Sequence, residues 1–450
     1  MSVTVSQGLT DIGEMAFCSC VKLIEICNLS SLDITLGSDS FGRIAERAKK
    51  LYTEPQSEKH WFVDADGFCF FENEDERYLM GYIGQEMAVT LPESCNGDSY
   101  EIYAYAFSQN QRILSVTVPT GVTKIGPSAF GGCSLLRTVS LPAGLLSIGS
   151  NAFGSCSELV TVTIPSSVTS IGDYVFSYCT ALTCAVIPDG VESLGEAAFR
   201  GCTALCEVTL GNSLQKIAPY TFAGCTALTS LTVGTAVTHI ADQAFRDIAL
   251  QEIHISDLAA WCRITRDSFD FNLMYYKIYL NGELLTAAVI PEGVTAIRED
   301  AFRGCVSITS VVIPDSVLSL GARAFYDCDD LSSVTLGNGL QTIGNSAFAH
   351  CTALTSIVIP DSVASIEQSA FNWCNGLHSI VIGKGVTSLG MGVFVSATVR
   401  EIYYGGSESD WNAITGLEQN VELLYIPRYY YSETEAAGCW HFVDGEPTLW

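Results

Sequence analysis

Eighteen cysteines and six histidines are the side chains with the most chemistry to offer here, as metal ligands, nucleophiles or disulfide partners. Their spacing decides what they can do. Ten of the cysteines, Cys20, Cys133, Cys156, Cys179, Cys202, Cys225, Cys305, Cys328, Cys351 and Cys374, each follow a phenylalanine by three residues. Set one above another in stacked coils, they would form a straight column of one thiol per coil, facing an interior. A zinc site needs four ligands converging on one point, so the column suits buried cysteine acting as a small hydrophobe. Such thiols react slowly because the thiolate is disfavoured. Cys184 and Cys206 fall instead on outward strand positions of adjacent coils, offset by one residue; they are the more reactive pair, and a bridge between them stays open.

The histidines, His60, His239, His254, His350, His378 and His441, share no repeat position and form no H-E-x-x-H spacing. No glycine loop suited to phosphate is present, since glycine recurs once per coil at a turn. Within the acidic run from Asp64 to Glu76, Asp64-Ala65-Asp66-Gly67 lacks the further ligands of an EF-hand loop and reads as a D-G hairpin turn. The expectation is a chain that is not an enzyme, with no catalytic residues, no metal and no cofactor.

The elements that position these residues follow from the phenylalanines. Phe107, Phe130, Phe153, Phe176, Phe199, Phe222 and Phe245 are 23 residues apart, Phe302, Phe325, Phe348, Phe371 and Phe394 resume the step, and Phe17 is an outlying copy. Aligned, the thirteen copies give V-x-x-I-G-x-x-A-F-x-x-C-x-x-L-x-x-V-x-I-P, with alanine before the phenylalanine in ten of them. One such unit buries too little to fold alone, so neighbouring coils must cover one another. The segment Leu159-Val162-Ile164-Pro165 typifies a short strand ended by proline, with Val and Ile two apart pointing into the core. The V-x-x-I-G segment makes the opposite wall, and A-F-x-x-C-x-x-L rounds the corner. The expected fold is a β-rich solenoid of 23-residue coils stacked into one curved parallel sheet, with helix and hairpin inserts.

Two segments break the period. The register returns after each, so they read as inserts on a continuous solenoid: residues 1–27 a degenerate first repeat, 28–100 a helix plus hairpin insert, 101–248 a first repeat block, 249–284 a helix and hairpin insert, 285–403 a second block, and 404–450 an aromatic-rich C-terminal cap. Residues 40–51 carry helical spacing behind a serine suited to N-capping, and residues 60–84 alternate as hairpins do. Short helices are expected at Asp257 to Cys262 and around Trp411, and Asn281-Gly282 predicts a type I′ hairpin.

The repeat resembles the Treponema-type leucine-rich repeat of BspA-like bacterial surface proteins, closely over residues 101 to 245 and 285 to 402 and more loosely from Leu9 to Ile26. The resemblance implies export to the cell surface and an adhesion or protein-binding role. The first residues show neither a basic stretch nor an apolar one of signal-peptide type, so no secretory signal is read in this chain, and Met1 suggests a trimmed start.

Composition narrows the partners. Forty-nine acidic side chains against 22 basic ones give a net charge of −27, with 16% charged residues and 48% apolar. So acidic a chain has no phosphate-neutralising footprint, which argues against nucleic acid, and its apolar content argues against disorder. No apolar run is long enough to predict membrane insertion. The outward strand positions form a broad, nearly uncharged hydroxyl face. Thr117, Ser140, Thr163, Thr209, Thr232 and Thr335, with Arg137 and His378 beside them, are the candidate binding residues. Threonine also simply suits a pleated surface. The leading expectation is a non-enzymatic scaffold binding a protein or glycan at the cell exterior; the alternative is a structural spacer within a larger surface protein.

Overall fold

The computed structural model describes residues 2–18, 20, 23–46, 48–55, 60–267, 275–443 and 446–450. The chain divides into two compact units, Met1–Leu205 with Tyr220–Thr226, and Cys206–Pro219 with Ala227–Trp450. Each unit is a β-solenoid of coils about 23 residues long.

In the first unit one wall is a parallel column of Ala88–Thr90, Ser115–Thr117, Thr138–Ser140 and Thr161–Val162. The V-x-x-I-G wall is a strand column too: Val122–Ile125, Ser147–Ile148, Ser170–Ile171 and Ser193–Leu194 pair in parallel, one 23-residue step per rung. The repeat glycine closes each strand because the preceding coil lies too near for a side chain. A Cβ on Gly126 would stand 2.7 Å from the Ala104 nitrogen, and one on Gly149 2.7 Å from that of Pro127.

The corner forms a third ladder. Ser128, Phe130 and Gly132 donate their backbone N–H groups to the carbonyls of Ser150, Ala152 and Gly154, at 2.8, 2.8 and 2.7 Å. To aim alternate peptides at the next coil, the chain passes through left-handed residues two before and two after each repeat phenylalanine from Phe107 to Phe394. Ser128 and Gly132 (φ 52° and 74°) flank Phe130, and Ser346 and His350 (φ 54° and 63°) flank Phe348. The phenylalanines between them stack. From Phe107 to Phe222 successive rings are 4.9 to 5.7 Å apart and no more than 22° from parallel. In the second unit Phe302 to Phe394 repeat this at 5.2 to 5.5 Å.

The inserts join the walls. Trp61–Val63, Phe68–Glu72 and Arg77–Tyr82 are antiparallel, and Arg77–Tyr82 then pairs in parallel with Tyr100–Ile102. The helix expected over residues 40–51 is confined to Ser40–Arg43. Sheet pairing takes the end of that segment: Lys50–Tyr52 lies parallel to Glu25–Asn28 with Ile26 opposite Leu51, while Ile44, Ala45 and Ala48 fill the core. Arg47, also in the expected helix, lies outside the described residues. In the second unit, helix Leu258–Cys262 starts where the Asp257 carboxylate accepts from Ala259 and Ala260, helix Glu408–Asn412 starts on a Ser407–Asp410 capping box, and Asn281-Gly282 turns the hairpin between Lys277–Leu280 and Glu283–Leu284.

Candidate functional site

The cysteines follow the coils. Nine of the ten repeat cysteines are buried; Cys20 is exposed and leaves the interior column. Its coil is not followed by a 23-residue copy, and Phe17 beside it is only partly buried, so no stack encloses the thiol. The buried ones do more than fill space. Each of Cys133, Cys156, Cys179, Cys202 and Cys225 donates its thiol to the carbonyl of the phenylalanine 26 residues earlier, at 3.0 to 3.3 Å. Cys328, Cys351 and Cys374 do the same in the second unit. Burial pushes the Cys133 thiol up to about 11 and those of Cys179 and Cys374 up to about 12. These are protonated, structural thiols. Cys184 and Cys206 are both exposed.

No group of three or more His, Cys, Asp or Glu side chains converges as a metal site among the described residues. Asp64 is a turn residue, its carboxylate accepting from the N–H groups of Asp66 and Phe68. His239 contacts Thr265 Oγ1 at 3.0 Å and Asp267 at 3.1 Å, but the threonine hydroxyl donates to the Thr238 carbonyl, so its proton is committed to the backbone rather than to a base.

On the strand face, Thr117, Ser140 and Thr163 are exposed, with Ser140 directly opposite Thr117 in the ladder. Arg137 is exposed just before its strand and 3.7 Å from Glu158. In the second unit Thr209 pairs in register with Thr232 and Thr232 with His254, and both threonines are half-buried. Thr335 is exposed opposite Val312, and His378 lies outside that row, its Nδ1 3.2 Å from the Thr398 hydroxyl.

The face changes character towards the C-terminal end of the second unit. The residues that follow Thr335 at the same repeat position are Val358, Val381 and Tyr403, the last three in one ladder with Tyr429. Val358 is 43% exposed but Val381 only 5%, because Trp440 covers Val381 and Tyr403. Trp440 sits on the hairpin Cys439–Val443/Glu446–Leu449 and is fixed by its indole N–H donating to the Tyr404 carbonyl at 2.9 Å. Tyr431 and Phe442 meet its ring edge-on at 5.3 and 4.9 Å.

Between the covered and open parts of the face lies a groove of about 630 Å³, a size typical of ligand sites. Thr335, Val358 and Val381 form its floor, Tyr431, Trp440 and Phe442 one wall, and Asn338, Asp361, Lys384 and Glu433 its polar rim. Asp361 also holds the fold, accepting the Lys384 N–H at 2.9 Å, with the Lys384 ammonium 3.9 Å away. Of the candidate binding residues only Thr335 belongs to this groove. Composition singled out the aromatic C-terminus; the drift from Thr335 through valines to Tyr403 is the signal that could have located what it covers.

Stacked parallel coils with a leucine, valine and isoleucine interior define a leucine-rich-repeat solenoid. The family model of the BspA type leucine rich repeat region matches in six copies, over residues 1–51, 100–202, 169–282 and 274–400, and the chain belongs to that family. A leucine-rich repeat protein from Bacteroides ovatus shares the fold at 22% identity and a TM-score of 0.52, over 82% of this chain and 100% of its own. A leucine rich cell surface protein from Faecalibacterium prausnitzii is 28% identical over 80% of this chain and 98% of its own, with a TM-score of 0.41. The Treponema pallidum leucine rich repeat protein is 32% identical over 40% of this chain and 84% of its own, with a TM-score of 0.37. No curated protein sequence matches the chain. Among the described residues no helix is long and apolar enough to cross a membrane.

Proposed function

We propose that the chain is a non-enzymatic scaffold that binds a protein or glycan at the cell exterior through the open strand face of its coils. The observation that carries this reading is the strand face of each unit: in the first, Thr117, Ser140 and Thr163 are exposed, uncharged, on an in-register parallel column, and in the second an aromatic-lined groove opens on the strand face. Solenoid sheets present such surfaces rigidly, so little ordering entropy opposes binding. The family resemblance supports the extracellular setting. The test is to immobilise the full chain against arrays of extracellular matrix proteins and glycans, beside a variant carrying Thr117→Lys, Ser140→Lys and Thr163→Lys and another carrying Thr335→Lys. A captured ligand that either variant releases supports the proposal. Binding no stronger than background across both arrays overturns it.

A further inference from the structure

The groove beside Trp440 has a chemistry narrower than that of a general protein-docking face. Its exposed carbon surface is small and divided: Phe442 is 46%, Val358 43% and Tyr431 40% exposed. Its polar groups mix acceptors and donors: the carboxylates of Asp361 and Glu433, the ammonium of Lys384 and the Asn338 amide on the rim, and the Thr335 hydroxyl on the floor. A pyranose presents the same mixture in reverse. One face is C–H groups that pack on an aromatic ring, and its edge is hydroxyls that each donate and accept. An entirely apolar segment would leave the rim unsatisfied, and a carboxylate-rich partner would be repelled by a chain of net charge −27.

Charge and backbone also argue against a basic peptide. With Lys384 paired to Asp361, Glu433 is left as the one net charge among the side chains named above, and the adjoining strand row of Ser333, Ser356 and Ser379 is uncharged until Glu401, whose carboxylate is engaged by the Tyr403 hydroxyl at 2.8 Å. A peptide strand gains most by pairing with a free sheet edge. Here the ligand meets the face of Ser356–Ile359, Ser379–Ile382 and Glu401–Tyr404, whose backbone groups already pair with one another. The walls are preorganised as well: Trp440 is tied to Tyr404, and the terminal Trp450 indole donates to the Ser432 carbonyl at 3.0 Å, bracing the hairpin.

We infer that this groove is a binding subsite for a neutral oligosaccharide, a short run of pyranose units lying against Phe442 and Tyr431 with its hydroxyls on Asp361, Lys384 and Asn338. This rests on the scaffold reading above and names the ligand class for the second unit's groove.

The test uses the full chain and an array of short neutral gluco-, manno- and galacto-oligosaccharides, the sialylated and sulfated counterparts of the same chains, and an oligo-lysine peptide, each at low and high salt. The expected result is retention of at least one neutral oligosaccharide with affinity nearly independent of salt, and weaker retention of its anionic counterpart. Phe442→Ala and, independently, Val358→Lys should each weaken that binding by roughly tenfold or more, with unchanged circular dichroism; both sites are exposed, so both variants should fold. Three results overturn the inference: no neutral oligosaccharide bound, binding that neither variant alters, or preference for oligo-lysine with an affinity that falls as salt rises. If a matrix protein is captured while every oligosaccharide fails, the scaffold reading stands and the saccharide subsite falls; if nothing is captured, both fall.

Discussion

Replacing Phe348 by alanine should open a hole in the middle of the second unit's ring stack. Phe348 is fully buried, 5.3 Å from Phe325 and 5.4 Å from Phe371, with rings within 7° of parallel on both sides. A buried phenylalanine removes about 150 to 250 Å² from water, which at about 25 cal/mol per Å² is roughly 4 to 6 kcal/mol for the whole side chain. Alanine keeps one carbon, and the extended-chain reference overstates burial, so roughly 3 to 5 kcal/mol is expected, in line with other large-to-small core changes. The backbone cannot relax into the hole, because the Phe348 N–H is held by the Ala370 carbonyl at 2.8 Å and its carbonyl accepts the Cys374 thiol at 3.0 Å. Coils contact chiefly their neighbours, so the loss should be local. Native-state hydrogen exchange read by peptide mass spectrometry should show faster exchange from about residue 320 to 375 and little change before residue 205. Phe348→Leu should cost clearly less, since it refills most of the volume. A loss below about 1 kcal/mol, or one spread evenly along the chain, would refute the idea that the stack carries stability coil by coil.

Two further changes probe the interior. The buried thiols stabilise the fold only while protonated: an unfolded cysteine titrates near about 8.5, whereas Cys133 is held at about 11 and Cys179 and Cys374 at about 12. A raised folded value means stability that is complete below about pH 8.5 and drains away as pH climbs towards 11 to 12, by about 2 kcal/mol for each of these three thiols at pH 10. Denaturant midpoints should therefore fall steeply above pH 9, and less steeply in Cys179→Ala; a flat profile contradicts this, and at pH 8 iodoacetamide should modify Cys184 and Cys20 in the native chain but Cys133 only after unfolding. Gly385→Ala would drive its Cβ into the Asp361 carbonyl oxygen, so that coil should lose at least about 2 kcal/mol, measured by the same exchange experiment; wild-type protection there would show that the coils are not so closely spaced.

The interior was legible because each of its positions is written many times. Phenylalanine, the cysteine three residues on, and the valine and isoleucine of the strand recur at one spacing, and any fold that honours the spacing stacks them. The same logic misplaced Cys20, whose spacing is right but whose coil lacks a neighbour of equal length. It also missed why cysteine is used: the thiol donates to a carbonyl 26 residues earlier, a partner set by coil stacking and invisible within one repeat. The segment from residue 40 to 51 has helical spacing, yet pairing of Lys50–Tyr52 with Glu25–Asn28 overrides that local preference. The groove was the least legible feature. It depends on one hairpin folding back so that Trp440 covers Val381, a single non-periodic contact that no repeat alignment contains.

Hydroxyl-radical footprinting of the full chain, free and bound to the ligand that the arrays capture, tests most directly whether the open face and its groove are the binding surface. Oxidation of Tyr431, Phe442 and Val358 should fall on binding, while exposed residues of the corner, such as Tyr178 and Trp373, stay reactive. Protection confined to the corner, with Tyr431, Phe442 and Val358 oxidised as in the free chain, would contradict it.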